Sequence, residues 1–417
     1  MNRPREVAVV GAGVVGLATA WFLQQRGVSV TVYDRDRVAA GASWGNAGWL
    51  TPAIATPLPE PAVLRYGLRT ALMPSSPVYV PPRADPQLWR FLVGFARHCT
   101  NRRWKRAMAA YAPLNRIALD AFDELGEGGA VPRPREAAPF LVGFSSDAAR
   151  AAMVAELEHI RQVQPVDFDL VTGDRARKLE PALSSRIRAA IRLQGQRYVN
   201  PPEFVHALAD AVVGNGGKLH QASRVRRVRE LGSCVLVETG PRLVQRYDAV
   251  VLATGAALGD LAADFGVRRQ VQAGRGYSFS VESRYLPAGP LYFPAERIAC
   301  TPLDTPTGPR LRVAGMMEFR GADEPLDPRR IKAIVDATGR LIAGADLDRR
   351  HDEWVGSRPC TTDGLPLIGA TSSSRVHVAG GHGMWGVTLG PVTGKLLAEQ
   401  IVTGTRPAAL APFDPTR

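Results

Sequence analysis

The sequence predicts an α/β fold in which one domain is built on a mostly parallel sheet and a second α+β domain on a mixed or antiparallel sheet. Three observations support this prediction. Residues 6–36 combine an apolar strand, a glycine-rich turn, a helix and a second strand. A similar strand-to-turn sequence, DAVVLATGA, returns at residues 248–256. RGYSFSV at 275–281 and PRLRVAGMMEFRG at 309–321 alternate apolar and polar residues, which is typical of antiparallel strands.

The N-terminal segment has the layout of a complete βαβ unit. Residues 7–10 form an apolar run suited to a buried strand, residues 12–25 have helical composition, and Gly27 precedes an alternating strand at 28–32. These elements predict a Rossmann-like arrangement.

The turn inside this unit carries the spacing of a dinucleotide-binding motif. In GAGVVG, Gly11 permits a tight turn, Gly13 lets the backbone approach a pyrophosphate, and Gly16 allows the helix to pack on the strand. Asp34 follows the second strand, where a carboxylate accepts hydrogen bonds from ribose hydroxyls. An acid at this position disfavours the 2′-phosphate of NADP, whereas FAD and NAD both remain compatible with the motif.

Composition excludes several other classes of protein. The net charge of +13 arises mainly from arginine scattered along the 417 residues, with NRRWKR at 101–106 and SRVRRVR at 223–229 as the densest clusters. This pattern favours solvated faces over a nucleic-acid surface. The four cysteines form no CxxC spacing, so neither a metal site nor a disulfide framework is indicated, and a reducing, cytoplasmic location is expected.

The chain is expected to leave the dinucleotide domain and return to it twice. Prolines interrupt residues 52–86, residues 87–125 look helical, and the strand pattern at 248–256 belongs beside the first strands. We therefore predict a discontinuous dinucleotide-binding domain and a substrate-binding domain, divided as follows: residues 1–50, 196–270 and 355–417 form the first, and residues 51–195 and 271–354 form the second.

Several motifs, taken in order along the chain, resemble the FAD-dependent D-amino-acid oxidoreductase superfamily. The motifs are GAGVVG with Asp34, SWGNAG at 43–48, ATGA at 253–256, RGYSFSV, GSRPCTTDGLPLIGA at 356–370 and GGHGMWGVTLGPVTG at 380–394. The SWGNAG loop and the C-terminal glycine motif are most similar to bacterial D-amino-acid dehydrogenases. The resemblance implies a Rossmann-like FAD domain, a substrate domain and transfer of a hydride from the substrate Cα to flavin N5.

The motifs place candidate residues at both ends of one FAD. The expected cofactor-binding residues are Gly11, Gly13, Val14, Val15, Gly16, Asp34, Ser43, Asn46, Ala47, Gly48, Val225, Thr254, Gly255, Gly381, Gly383, Met384 and Thr388. The glycines after residue 379 are expected to aim backbone N–H groups at the electron-rich edge of the flavin. Cys360 is offset from the position at which some relatives attach flavin, so we expect FAD to be held non-covalently.

Three side chains are expected to act on the substrate. Arg358 matches the position at which related amino-acid oxidases bind the substrate carboxylate, and arginine can do so with two parallel hydrogen bonds. Tyr277 is expected to line the site or bond the carboxylate, and His382 to contact the flavin or shape the pocket. A purely structural role remains the alternative for each.

The expected activity is oxidation of a D-amino acid, or of a related cyclic or secondary amino acid, with a quinone or another carrier as electron acceptor. An oxygen-using oxidase of the glycine or sarcosine type and a flavoprotein subunit of a heteromeric dehydrogenase remain alternatives. No transmembrane segment or nucleic-acid partner is expected. Peripheral contact with the inner face of the membrane, through the basic and Trp-containing region, is a weaker expectation.

Overall fold

The computed structural model describes residues 3–70, 73–241 and 243–417. Within these ranges the chain forms eleven α-helices. They are α1 (Val14–Gln24), α2 (Pro61–Thr70), α3 (Pro86–His98), α4 (Asn101–Arg116), α5 (Ala118–Glu127), α6 (Asp147–Arg161), α7 (Gly173–Leu179), α8 (Pro201–Gly214), α9 (Leu258–Ala262), α10 (Pro328–Leu341) and α11 (Gly386–Thr403).

The same described ranges contain twenty-one strands. They are β1 (Glu6–Val10), β2 (Ser29–Tyr33), β3 (Trp49–Leu50), β4 (Val78–Tyr79), β5 (Arg135–Glu136), β6 (Phe140–Phe144), β7 (Phe168–Thr172), β8 (Ala189–Leu193), β9 (Arg197–Tyr198), β10 (Lys218–His220), β11 (Arg227–Leu231), β12 (Cys234–Gly240), β13 (Leu243–Tyr247), β14 (Ala249–Leu252), β15 (Val271–Ser283), β16 (Leu291–Phe293), β17 (Ile298–Thr305), β18 (Gly308–Phe319), β19 (Ala345–Thr361), β20 (Leu367–Ala370) and β21 (Val376–Gly380).

A six-stranded sheet forms the first layer, in the order β10-β2-β1-β14-β21-β20. Its strands run parallel except for β20, which pairs antiparallel with β21 at one edge. Alternate residues of β1 enter different cores, because successive side chains of a strand point to opposite faces. Val7 and Val9 pack with α1, α8 and α11, whereas Ala8 and Val10 pack with the small sheet β11-β12-β13.

A nine-stranded, mainly antiparallel sheet forms the second layer, in the order β19-β15-β18-β17-β16-β6-β8-β7, with β4 paired to β18. Helix α10 covers one face, where Ile331 and Ile334 pack against the strand residues Phe279 and Val313. Helix α6 contributes Leu157 and other apolar residues to a separate core. A parallel α/β layer beside an antiparallel sheet is the architecture that the sequence predicts.

Strand pairing disagrees with one predicted domain boundary. The division between residues 354 and 355 falls inside β19, which pairs continuously along β15 from Val271↔Thr361 to Ser283↔Ala345 with two irregularities. A strand that is hydrogen-bonded along its length belongs to one sheet, so this boundary does not coincide with a structural break.

The structure adds detail to two predicted segments. Residues 87–125 form three helices, because Thr100 accepts a hydrogen bond from the backbone N–H of Arg103 and so starts α4 anew. The proline-rich stretch contains α2, whose first residue is Pro61. Proline is tolerated there because the first turn of a helix needs no internal donor.

Candidate active site

A cavity of about 970 Å³ lies at the carboxyl ends of β1, β2 and β14, the edge at which parallel α/β sheets bind ligands. Gly11, Gly13, Val14 and Val15 line one end of it. Helix α1 begins there with no side-chain cap and no acidic residue in its first turn. A helix start of this kind favours an anion such as a pyrophosphate, through its N–H groups and its dipole.

The glycines of this turn are required by close backbone approaches. Gly11 has φ +115°, and a Cβ on it would lie 2.4 Å from the carbonyl oxygen of Ala253. A Cβ on Gly16 would lie 2.0 Å from the carbonyl oxygen of Gly11. Gly16 itself does not line the cavity, so its role is to let α1 pack on the turn.

Asp34 and Ser43 fix the next part of the cavity wall. The Asp34 carboxylate accepts hydrogen bonds from the backbone N–H groups of Ala12 at 2.7 Å and Asp36 at 2.8 Å. The Ser43 hydroxyl accepts from the N–H of Val14 at 3.2 Å, which holds the loop after β2 against the start of α1. Both residues line the cavity. The carboxylate is therefore oriented before any ribose binds.

The opposite wall contains Val225, Thr254 and Gly255, which also line the cavity. The hydroxyl oxygen of Thr254 is buried, and no described residue forms a hydrogen bond with it. Buried polar atoms in folded proteins nearly always have a partner. A ligand in this cavity supplies one, so the residues fit the dinucleotide that the glycine turn indicates.

The second end of the cavity is formed by His382, Gly383 and Met384, which precede α11. The His382 ring pairs through Nε2 with the Thr393 hydroxyl at 2.9 Å. Burial lowers the pKa of His382 to about 4, because an apolar surrounding disfavours the imidazolium. The ring is therefore neutral at neutral pH. The two glycine motifs, more than 360 residues apart in sequence, meet at one cavity.

A few expected cofactor-binding residues do not line this first cavity. Gly48 lies close to the backbone of Val199, because a Cβ on Gly48 would lie 2.1 Å from the Val199 carbonyl oxygen. Gly381 packs against the side chain of Thr361. Ala47 and Thr388 line a second cavity instead. The Thr388 hydroxyl donates to the carbonyl oxygen of Trp49 at 2.9 Å.

The second cavity has a volume of about 670 Å³ and a mainly apolar wall. It borders the first cavity, and the two share Ala42, Asn46, Arg358 and Met384. Strands of the nine-stranded sheet and parts of α2, α3 and α6 enclose it. A dinucleotide-sized cavity thus borders a smaller apolar cavity, and Arg358 lies where the two cavities meet.

Arg358 is held at this junction by its strand neighbours. Its guanidinium lies over Gly276 of the paired strand β15, where a Cβ would come within 2.2 Å of its Cζ. Nη1 donates to the carbonyl oxygen of Met316 at 2.7 Å. Among the described residues, no carboxylate oxygen lies within 4 Å of the guanidinium nitrogens. Burial lowers the pKa of the guanidinium, because it disfavours the charged form. A desolvated cation without a counter-ion is suited to bind an anionic ligand group.

Tyr277 lies elsewhere, contrary to expectation. It is fully buried on the other face of β15, where its hydroxyl bonds Glu318 and its ring packs among the residues beneath α10. It lines neither cavity. Gly276 occupies the strand face toward Arg358, so the next residue must point away from it.

The second cavity also contains ionisable residues that the sequence motifs did not single out. They are Glu60, Glu156 and Arg297. Glu60 lies among the prolines of TPLPEP, and the other two lie in ordinary helical and turn sequence. No spacing connects them, so only the tertiary structure brings them together.

Two features are absent from the described residues. Residues 3–70, 73–241 and 243–417 contain no helix long and apolar enough to span a membrane. The same ranges contain no group of three or more His, Cys, Asp or Glu side chains that could hold a metal ion.

Comparison with known proteins agrees with this geometry. Residues 6–400 match the family model described as FAD dependent oxidoreductase. The chain is 30% identical over 402 residues to a D-amino acid dehydrogenase of Cereibacter sphaeroides, covering 95% of this chain and 91% of that protein. It is 29% identical over 414 residues to one of Rhizorhabdus wittichii, covering 97% of each.

A solved structure shows the same fold. The glycine oxidase of Geobacillus kaustophilus superimposes with a TM-score of 0.76 at 22% identity, covering 100% of this chain and 99% of that one. The fold class predicted from the sequence is thereby confirmed. With a family match that spans most of its length and a cradle that fits the cofactor, the chain belongs to the FAD dependent oxidoreductase family and is an FAD-dependent enzyme.

Proposed function

We propose that this enzyme oxidises a D-amino acid, or a closely related cyclic or secondary amino acid, to the imino acid, which water hydrolyses to the 2-oxo acid. Arg358 is the observation that carries the proposal, because its half-buried guanidinium borders both the cofactor cavity and the apolar cavity. A substrate carboxylate bound there places the adjoining Cα next to the cofactor cavity. The names of the two curated relatives support the D configuration.

The chain contributes binding and orientation to this reaction. Bound FAD supplies the hydride acceptor. Arg358 holds the substrate carboxylate, the apolar wall of the second cavity excludes water from the side chain, and neutral His382 maintains the shape of the flavin end through Thr393. If the substrate amine binds unprotonated, no further base is needed.

The test is anaerobic reduction of the FAD-loaded enzyme by a panel of D-, L-, N-methyl and cyclic amino acids, followed by bleaching of the flavin absorbance. Reduction by D-amino acids and not by their L-enantiomers is the expected result. Absence of bleaching by every member of the panel would refute the proposed reaction. The purified single chain is used, so that a requirement for a partner subunit also becomes visible.

A glycine-type oxidase is the second candidate, because a glycine oxidase has the same fold. The second cavity, at about 670 Å³, is much larger than a substrate without a side chain requires. We therefore favour a larger amino acid and a quinone or carrier protein as acceptor. Stoichiometric peroxide formation in air would favour the oxidase; turnover that depends on an added quinone favours the dehydrogenase.

FAD is proposed to be held without a covalent bond. Cys360, the only cysteine near the flavin end in sequence, is buried beside Gly274 and lines neither cavity. Its Sγ faces strand β15, where a Cβ on Gly274 would lie 2.7 Å from it.

Peripheral contact with an anionic membrane surface from the cytoplasmic side is a further part of the proposal. Helix α3 exposes half of Trp89 and half of Val93, with the exposed Arg90 and Arg97 beside them. Apolar and basic side chains on one helix face favour an anionic lipid surface. Co-sedimentation with anionic and zwitterionic vesicles tests this; Trp89→Ala should weaken binding to anionic vesicles, whereas Leu243→Ala, on the distant exposed strand β13, should not.

A further inference from the structure

Four polar side chains enter the apolar second cavity from three parts of the chain. Glu60 directly precedes α2, Glu156 lies on α6, Tyr292 lies on β16, and Arg297 precedes β17. We call these four residues the distal cluster. The rest of the wall beside them is apolar and includes Ile54, Leu64 and Met153.

The distal cluster lacks internal partners. Within the described part of the chain, none of its four side chains forms a hydrogen bond, and no ion pair within 4 Å joins Arg297 to either glutamate. Burial raises the pKa of Glu60, and it raises the pKa of Glu156 to about 7, because the apolar surroundings disfavour the carboxylate. The four half-buried polar groups on this apolar wall are therefore free to contact a ligand in the cavity.

The two glutamates and Arg297 influence one another electrostatically. The negative charge of Glu60 further raises the pKa of Glu156, and Arg297 opposes both shifts. Arg65 also acts on Glu60, but it is exposed on α2 and does not line the cavity. Within the distal cluster, two carboxyl groups therefore stand beside one guanidinium, and a cation bound there would favour the ionised form of both.

The distal cluster is separate from the carboxylate site. Neither glutamate perturbs the pKa of Arg358, although all of them line the same cavity. A substrate whose carboxylate is bound by Arg358 at the junction of the cavities can thus extend its side chain toward the cluster.

We propose that the distal cluster is the subsite for the substrate side chain and that it selects D-amino acids whose side chain ends in a cation, either an ammonium or a guanidinium group. This inference rests on the proposed function and adds a substrate class to it. Glu60 and Glu156 accept hydrogen bonds from the cation, Arg297 opposes the rise in their pKa, and the Tyr292 ring borders the path. An acidic side chain is disfavoured because it would add a like charge beside the two glutamates. An apolar chain leaves both carboxylates desolvated and unpaired.

The experiment compares two matched D-amino acids. D-Norleucine is D-lysine without its terminal ammonium group, so the pair isolates the contribution of the cation. We measure kcat/KM for flavin reduction of the FAD-loaded enzyme, with D-2-aminoadipate as the acidic counterpart. D-Lysine is expected to exceed D-norleucine by about 10-fold or more, since hydrogen bonds to charged groups contribute at least that factor.

Variants assign this preference to the cluster. Glu156→Gln and Glu60→Gln are each expected to lower kcat/KM for D-lysine by about 10- to 100-fold and to change that for D-norleucine by less than about 3-fold. Glu158→Gln is the matched control, because Glu158 lies on the same helix and is exposed. Equal losses for both substrates, or a wild-type preference for D-norleucine or D-2-aminoadipate, would overturn the inference.

A binding measurement separates this inference from the proposed reaction. 6-Aminohexanoate and hexanoate lack the α-amine but retain the carboxylate and differ only in the terminal ammonium. By calorimetry, the FAD-loaded enzyme is expected to bind 6-aminohexanoate about 10-fold tighter or more, and Glu156→Gln is expected to abolish the difference. If no amino acid reduces the flavin and this difference persists, the reaction is wrong and the cation site stands. Equal binding of the two compounds refutes the site.

Discussion

Replacing Arg358 with lysine tests the proposed carboxylate site most directly. The arginine already uses Nη1 to donate to the Met316 carbonyl oxygen at 2.7 Å, which leaves its other nitrogens for a ligand. A lysine ammonium has one centre from which to serve both acceptors, and it lacks the planar fork that binds a carboxylate with two hydrogen bonds. Arg358→Lys should therefore retain the positive charge but lose one charge-assisted hydrogen bond to the substrate.

The size of the effect follows from this loss. A hydrogen bond to a charged group contributes about 1.5–3 kcal/mol, which corresponds to about a 10- to 150-fold decrease in kcat/KM. Gly276→Ala should act through the same residue, because its Cβ would lie 2.2 Å from the Cζ of Arg358 and would displace the guanidinium. Both variants should lower kcat/KM for the same substrates, although only Arg358→Lys alters the arginine itself.

The assay is anaerobic flavin reduction by a D-amino acid and by its amide. Arg358→Lys should slow flavin reduction by the amino acid. The rate of flavin reduction by the amide, which has no carboxylate, should stay almost the same as in the wild type. Arg349→Lys is the matched control, since Arg349 lies on the same strand with a side chain that is 82% exposed. If Arg358→Lys stays within about 2-fold of the wild type on the amino acid, the assignment of the carboxylate site is wrong.

Three further predictions concern the cofactor cradle. Gly16→Ala, whose Cβ would lie 2.0 Å from the Gly11 carbonyl oxygen, should lower the free energy of unfolding by about 1–3 kcal/mol or more and impair FAD binding; Gly214→Ala, with open space around it, is the control in urea denaturation. His382→Gln should reduce the loss of stability between about pH 6.5 and pH 4. The folded-state pKa of this histidine is lowered to about 4, so the unfolded state takes up its proton first as the pH falls; an unchanged pH profile of the unfolding free energy would contradict this. Cys360→Ser and the wild type should both release all their FAD on acid precipitation, and flavin that stays with the wild-type pellet alone would show a covalent bond.

Local sequence was sufficient to predict much of the fold and both ends of the cofactor site. Several residues that line the cavity directly follow a buried strand: Gly11 and Gly13, Asp34, and the glycines before α11. Their positions therefore depend on their neighbours in sequence. Parallel strands align their carboxyl ends at one edge, which brings distant turns to one cavity. Arg358 was predicted from a sequence motif, and it lies at that cavity.

Strand parity and the pairing of distant elements were decided only by the tertiary structure. Tyr277 and Gly276 are adjacent in sequence, yet the pleat of β15 turns one into the core and leaves the other beneath Arg358. The boundary predicted between residues 354 and 355 falls inside β19, because hydrogen bonding to β15 continues through it. The glutamates at 60 and 156 and the arginine at 297 share no spacing, and they meet only because a proline-rich segment, a helix and a hairpin enclose the same cavity. Local chemistry thus determined where the glycine-lined cavity lies, whereas long-range packing determined which side chains line the second cavity.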